Sequence, residues 1–209
     1  DLKWLGGTVD DAAGESFDKT ARLLGFENGG GPAIQKAAAQ LAARHSQLVT
    51  RLPRPLLHDD TLNFSFSGLK TAVLREWTKR HPGLDPGSST KMDSGSVAGM
   101  TEEKVIPAFA HEVQEAITDV LVAKTIKAAQ QYNAKSILIS GGVAANLRLR
   151  QKFESTIYDL PSTISLHVPP IELCTDNAAY IGSYAFFRGQ PADWHTITAI
   201  PDLPVEVKK

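Results

Sequence analysis

The feature that most constrains the fold is a run of elements beginning at Glu102. From there to about Tyr132, apolar residues recur at Val105, Phe109, Val113, Ala116, Val120 and Ile126, which share one face of a helix. Acids fill its first turn, and Lys124 and Lys127 lie toward its end, as the helix dipole favours. "KSILIS" follows as a strand, Gly141–Gly142 as a turn, "AANLRLRQKFEST" as a helix, "TISLHV" as a strand and "DNAAYIGSYAFFRG" as a last helix. A long helix followed by strand, helix, strand and helix predicts an α/β layered domain.

Upstream, Thr8 with Asp11 three residues on resembles a capping pair. The helix it would open, "DAAGESFDKTARLLG", carries apolar residues at Ala13, Phe17, Ala21 and Leu24 and a glycine stop at Gly25. "ENGGGP" breaks the chain, and "PAIQKAAAQLAARHS" predicts an alanine-rich helix that ends before the turn-prone "LPRPLLHDD". In "LNFSFSGLKTAVLREWTKR" the first half alternates like a strand, with Leu62, Phe64 and Phe66 on one face and Asn63, Ser65 and Ser67 on the other. The second half, with Leu69, Val73, Leu74 and Trp77, is helical. Residues from about 81 to 100 are rich in glycine, serine and proline and read as a surface insertion.

With 209 residues, 42% hydrophobic and 22% charged, the chain can bury a substantial core. A net charge of −1 gives no global sign of a polyanion partner, so any nucleic acid must be held by a local basic cluster. The single cysteine, Cys174, excludes an internal disulfide framework and an all-cysteine metal site, and a reducing compartment is the easier reading. The six histidines, at 45, 58, 81, 111, 167 and 195, form no HxxxH pair. No apolar run approaches the roughly 18 residues of a membrane span, so no membrane is expected. The N-terminus "DLKWLGGTVDD" lacks an initiator methionine and a signal peptide's apolar core, so the chain is expected to begin inside a longer protein.

In an α/β layer, ligands sit outside the carboxyl ends of strands, which draws attention to "ILISGGVAANLRLR". Glycines there let backbone N–H groups come close to a phosphate or ribose with no β-carbon in the way. Asn146, at an accessible turn opening the next helix, can offer both a donor and an acceptor to a sugar or carbonyl. The same residues read equally as a tight turn followed by a helix cap.

The segments "DDAAGESFDKTARLLG", "GGPAI", "FSFSGLKTAV", "SGGVAANLRLR" and "ELCTDNAAYIG", in that order, closely resemble the second half of the TsaD family of tRNA N6-adenosine threonylcarbamoyltransferases, in its bacterial and mitochondrial branch. The resemblance implies an ASKHA fold (actin/Hsp70-like, ribonuclease H-like), of which this chain would be mostly the second lobe. Residues 1–175 would form that lobe, and residues 176–209 a C-terminal helix and tail returning toward the first. The implied activity transfers the threonylcarbamoyl group of threonylcarbamoyl-AMP to adenosine 37 of tRNAs reading codons that start with A. The implied adenylate contacts fall on Asp18, Gly31, Gly141, Gly142 and Asn146, with the Asp18 carboxylate able to accept from both ribose hydroxyls. The implied metal ligand is Asp176, for one divalent ion (iron or zinc) whose two histidine ligands belong to the family's first half.

This chain starts after that histidine pair and after the family's phosphate-contacting loop, so it is expected to be inactive alone. No Ser-His-Asp or Cys-His set is visible, Cys174 reads as a packing residue, and no catalytic nucleophile is assigned. Candidate tRNA contacts are Lys70, Arg75 and Lys79, within a wider set of Arg51, Arg54, Arg80, Arg148 and Arg150. A homodimer or partner subunits of a tRNA-modification complex are further implied, in a mitochondrion or alternatively a bacterial cytoplasm. Two other function classes stay open: an ATP-dependent kinase or ATPase of the same fold, and a non-catalytic half-enzyme scaffold.

Overall fold

A computed structural model describes residues 3–27, 30–41, 51–80, 102–160, 164–189, 193–196 and 198. The expected insertion at about 81–100 and the C-terminal tail beyond 198 lie outside the described residues. The elements are α1 (Ala13–Leu23), α2 (Gly30–Ala38), α3 (Ser67–Arg80), α4 (Glu102–Gln131), β1 (Ser136–Leu138), α5 (Leu147–Tyr158), β2 (Ser165–His167) and α6 (Ala179–Arg188). The structure is therefore mainly helical with one small parallel sheet, in which Ser136 pairs with Ser165, Ile137 with Leu166 and Leu138 with His167.

Helix α4 is the spine, because its apolar face is long enough to close two cores. Val105, Phe109, Val113, Ala116, Ile117 and Val120 pack with Phe17 and Ala21 of α1, Ile34 of α2 and Leu69, Val73 and Trp77 of α3. Further along, Val122, Ile126 and Ala129 meet Ile137 of β1, Leu149 and Phe153 of α5, and Ile164. Every position of the expected apolar face of α4 is buried. Burial of this kind, at roughly 25 cal/mol per Å² of apolar surface, is the main force holding the layers together.

Charged side chains then fix where the loops and α5 lie on α4. Leu52 N–H donates to Glu112 Oε1 at 2.8 Å, and Arg54 reaches both Glu112 and Asp119. Lys152 bridges Asp119 and Glu115, and Arg148 pairs with Glu115 through Nε at 2.6 Å. Lys124, expected as a dipole-favoured cation near the helix end, is instead 1% exposed and paired with Asp59, its Nζ also donating to Thr61 O at 2.7 Å. A buried ammonium is tolerated only with such partners.

Three local expectations are corrected. Thr8 Oγ1 donates to Asp11 O at 2.6 Å instead of capping a helix, and Ala12 at the start of α1 has no side-chain cap. The alternating "LNFSF" segment makes a single parallel bridge, Thr8 with Phe64, because its polar side chains are committed elsewhere. Ser65 and Ser67 hydroxyls donate to Asp10 Oδ2 at 2.5 and 2.9 Å, and Asp10 Oδ1 accepts from Phe66 N–H at 2.7 Å and Ser67 N–H at 3.2 Å. Asp10 thus caps α3 from a distant part of the chain. Desolvation pushes its carboxyl up, but these donors together outweigh it and hold it at about 2. Thirdly, α6 begins at Ala179 and buries nothing: Tyr180, Ile181, Tyr184, Phe186 and Phe187 are all exposed. Among the described residues no helix is long and apolar enough to cross a membrane.

The Glu115 cluster makes the fold acid-sensitive. Burial raises the Glu115 carboxyl, but hydrogen bonds from Arg148 and Lys152 prevail and hold it at about 2 against a usual 4.5. A depressed carboxylate contributes stability that is complete above about pH 4.5 and is lost as pH falls toward 2. Glu115→Gln is expected to lower stability at neutral pH by about 1–3 kcal/mol and to make the decline between those pH values shallower. Denaturant unfolding across pH measures both, and an unchanged acid slope would show that the cluster contributes nothing to folding.

Candidate adenylate site

A cavity of about 540 Å³ lies where α1, α2 and the start of α5 meet. That volume suits a small organic ligand. Gly14, Phe17 and Asp18 line it from α1, Gly31, Pro32 and Gln35 from α2, and Gly142, Val143, Ala145, Asn146 and Leu147 from the segment entering α5. Ile171 and Thr175 complete the wall. Most of that wall is apolar, with Asp18, Gln35, Asn146 and Thr175 supplying polar groups.

The glycines serve different purposes. Gly141 has φ +82°, a left-handed conformation that side chains disfavour, and it turns the chain from β1 into a short 3-10 turn over Gly142–Ala145. Gly31 and Gly142 line the cavity, and a β-carbon at either would meet nothing within 4 Å, so any side chain there would project into open space. At Gly30, by contrast, a β-carbon would fall 1.8 Å from Asp18 Oδ1, so the start of α2 can lie against α1 only with glycine at that position.

The structure thus brings Asp18, Gly31, Gly142 and Asn146, distant in sequence, to one cavity, and it does not bring Gly141 or Asp176 into the lining. Asn146 departs from expectation in one respect. It is 8% exposed, not at an accessible turn. Its Oδ1 accepts from Leu149 N–H at 3.0 Å, capping α5, and its Nδ2 donates to Gln114 Oε1 at 3.0 Å. It is both a helix cap and a cavity residue. The N–H of Leu147 is also taken, by Gln35 Oε1 at 2.7 Å. Two N–H groups of the first turn of α5, those of Leu147 and Leu149, are therefore taken by protein side chains, which leaves less room for a backbone phosphate cradle than the glycine pair suggests.

Gln35, Gln114, Gly14 and Gly30 escape a reading of motifs. The triple glycine was a visible signal for Gly30, but two glutamines inside alanine- and valine-rich helices carry none, since their partners are 112 and 32 residues away.

Asp176 follows Thr175 of the cavity wall, yet its carboxylate is exposed and has no partner among the described residues. Asn177 Oδ1, not Asp176, accepts from the N–H groups of Ala179 and Tyr180, at 3.0 and 3.3 Å. Among the described residues no group of three or more His, Cys, Asp or Glu side chains converges. One carboxylate does not fit a divalent ion, which takes four or more donors, so no chemistry is assigned here to a metal.

The basic residues also divide. Arg54 is 7% exposed and paired with Glu112 and Asp119, and Arg148 is paired with Glu115. Arg150 donates to Ala144 O, Pro169 O and Cys174 Sγ, at 2.7, 2.9 and 3.1 Å, tying buried Cys174 to α5. Of these three expected tRNA contacts, Arg54 is withdrawn from solvent, and Arg148 and Arg150 are engaged with protein groups. Lys79 pairs with Glu76 at 3.0 Å but stays 63% exposed, and Arg51, Lys70 and Arg75 are exposed. Arg75 and Lys79 share a helix face, whereas Lys70 lies about 140° around α3 from Arg75.

Comparison with known proteins gives the family of the chain. A family profile described as TsaD, tRNA N6-adenosine threonylcarbamoyltransferase, matches residues 1–183. A protein of that name from Persephonella marina is 42% identical over 191 residues, covering 90% of this chain and 47% of the relative. Another, from Dehalococcoides mccartyi, is 44% identical over 187 residues, covering 88% of this chain and 47% of the relative. A third, from Roseobacter denitrificans, is 40% identical and covers 100% of this chain and 53% of the relative. The chain spans about half the length of the curated relatives it matches. With a match over nearly all its length, the chain belongs to the tRNA N6-adenosine threonylcarbamoyltransferase family.

Proposed function

We propose that this chain supplies the adenylate-binding half of a tRNA N6-adenosine threonylcarbamoyltransferase, the second lobe of an ASKHA fold. The observation that carries the reading is the convergence of Asp18, Gly31, Gly142 and Asn146 on one cavity of about 540 Å³. The cavity has the chemistry an adenylate needs. Its apolar wall, with Phe17, Pro32, Val143 and Ile171, suits the flat face of a purine, and a carboxylate with two oxygens suits a ribose with two hydroxyls.

In the proposed reaction the exocyclic amine of a tRNA adenosine attacks the carbamoyl carbon of threonylcarbamoyl-AMP. The new C–N bond forms, the bond to the phosphate oxygen breaks, and AMP leaves. The reaction so written is a direct displacement that needs no covalent intermediate on the protein, so this chain contributes by holding the AMP portion in place. Asp176, beside the cavity wall, is proposed as one donor to a divalent ion whose other ligands would come from outside the described residues. The exposed apolar side chains of α6 are proposed to pack on the half of the relatives that this chain does not span.

Two outcomes follow for the full-length protein. AMP binding measured by calorimetry is expected to weaken by about tenfold or more in Asp18→Ala, since hydrogen bonds to a charged group are worth roughly 1.5–3 kcal/mol. Wild-type protein without affinity for AMP would end the reading. For tRNA, Lys70→Glu with Arg75→Glu is expected to weaken binding and to reduce the slope of log affinity against log salt by about 0.9 for each phosphate that is no longer neutralised. AMP affinity should not change. Should tRNA affinity and slope also stay as in wild type, the tRNA surface is not on α3.

A further inference from the structure

The carboxamide of Asn146 is held at both ends by protein, although Asn146 is part of the cavity wall. The Leu149 N–H at 3.0 Å requires an acceptor, and the Gln114 Oε1 at 3.0 Å requires a donor. A flipped amide would set N–H against N–H at the helix cap and oxygen against oxygen at Gln114. One Nδ2 hydrogen and one Oδ1 lone pair remain for a ligand. Gln114 itself is 5% exposed, lies on α4 and is absent from the cavity wall.

We propose that Gln114 is a positioning residue for the cavity: it fixes the rotation of the Asn146 carboxamide, so that a ligand always meets the same donor and acceptor in the same places. Leu149 alone cannot do this. A single hydrogen bond to Oδ1 lets the amide plane swing about it, whereas two bonds on opposite ends define the plane. Gln114 suits the task because its neighbour Glu115 clamps Arg148 and Lys152 of α5, which keeps the distance from α4 to Asn146 constant. The inference deepens the adenylate reading and rests on it.

The test is a double-mutant cycle in the full-length protein, with AMP as the probe, binding measured by calorimetry and unfolding temperature recorded for each variant. Gln114→Met keeps the length of the side chain and removes the acceptor. It is expected to weaken AMP binding about threefold to tenfold, the value of one neutral hydrogen bond. Gln114→Glu, which retains an acceptor oxygen, is expected to recover part of that affinity. Combined with Asn146→Ala, Gln114→Met is expected to add no further loss, because it acts only through Asn146. Wild-type affinity in Gln114→Met, or losses that simply multiply in the double variant, would overturn the proposal, since a residue that only supports the fold gives additive effects. If Gln114→Met does not fold, Gln114→Asn carries the same cycle, with its acceptor withdrawn by one methylene. Failure of wild-type protein to bind AMP is a separate result, which removes the adenylate reading before any Gln114 variant is compared.

Discussion

The attachment of the first turn of α5 to the middle of α4 is the interaction on which the rest of the structure depends. Two adjacent residues make it, Gln114 through Asn146 and Glu115 through Arg148 and Lys152. The apolar surfaces of Leu149 and Phe153 close the same contact from below. Because α4 also carries the core that holds α1 and α2, fixing α5 to it brings three helices to a common meeting point, and the cavity is the space left between them. Packing alone tolerates small slides between helices. Short charge-assisted hydrogen bonds do not, so the polar contacts set the width of the cavity while the apolar ones supply most of the stability.

The same cluster reaches outward. Asp119 shares Lys152 with Glu115 and Arg54 with Glu112, and Glu112 holds the backbone of Leu52. A chain of alternating charges therefore runs from the 51–61 segment across α4 to α5. Its members are partly shielded from water, where such networks lose less to screening than isolated surface pairs. The chain's near-neutral net charge conceals this arrangement, since several of its acids and bases cancel in pairs inside the fold.

How far the sequence could be read follows from the range of the forces involved. The face of α4 was legible because helical periodicity is local, and each of its six predicted positions is buried. Gly25 and the glycine turn before α5 were legible because positive φ is a property of one residue, and Gly25 and Gly141 adopt it. Long-range polar partners were not legible. Ser65 and Ser67 looked like the wet face of a strand, yet they serve an aspartate 55 and 57 residues away. Arg54, Arg148 and Arg150 looked like free cations because a charge is visible in sequence and its partner is not. The grouping of Asp18 with Gly31, Gly142 and Asn146 came from resemblance to a family. Spacing alone left the glycine pair and Asn146 equally readable as a tight turn followed by a helix cap.

Helix α6 shows what the two cores leave undone. Ten residues are too few for a stable isolated helix, and this one carries Tyr180, Ile181, Tyr184, Phe186 and Phe187 without burying any of them. At 100° per residue Phe187, Tyr180, Tyr184 and Ile181 fall within one arc of about 120°, with Phe186 about 100° outside it. A stripe of that width is one that a helix ordinarily packs against a core. Leu138 of β1, 75% exposed at the end of a two-stranded sheet, is another apolar side chain without cover. The cavity wall shares part of this condition, since Leu147 and Ile171 are 47% and 46% exposed. Phe17 of the same wall is buried, and so are Ile34, Ala144 and Leu149 on the elements that carry it. The elements that carry the cavity are thus anchored in the two cores, whereas α6 and the end of β1 leave apolar surface uncovered among the described residues.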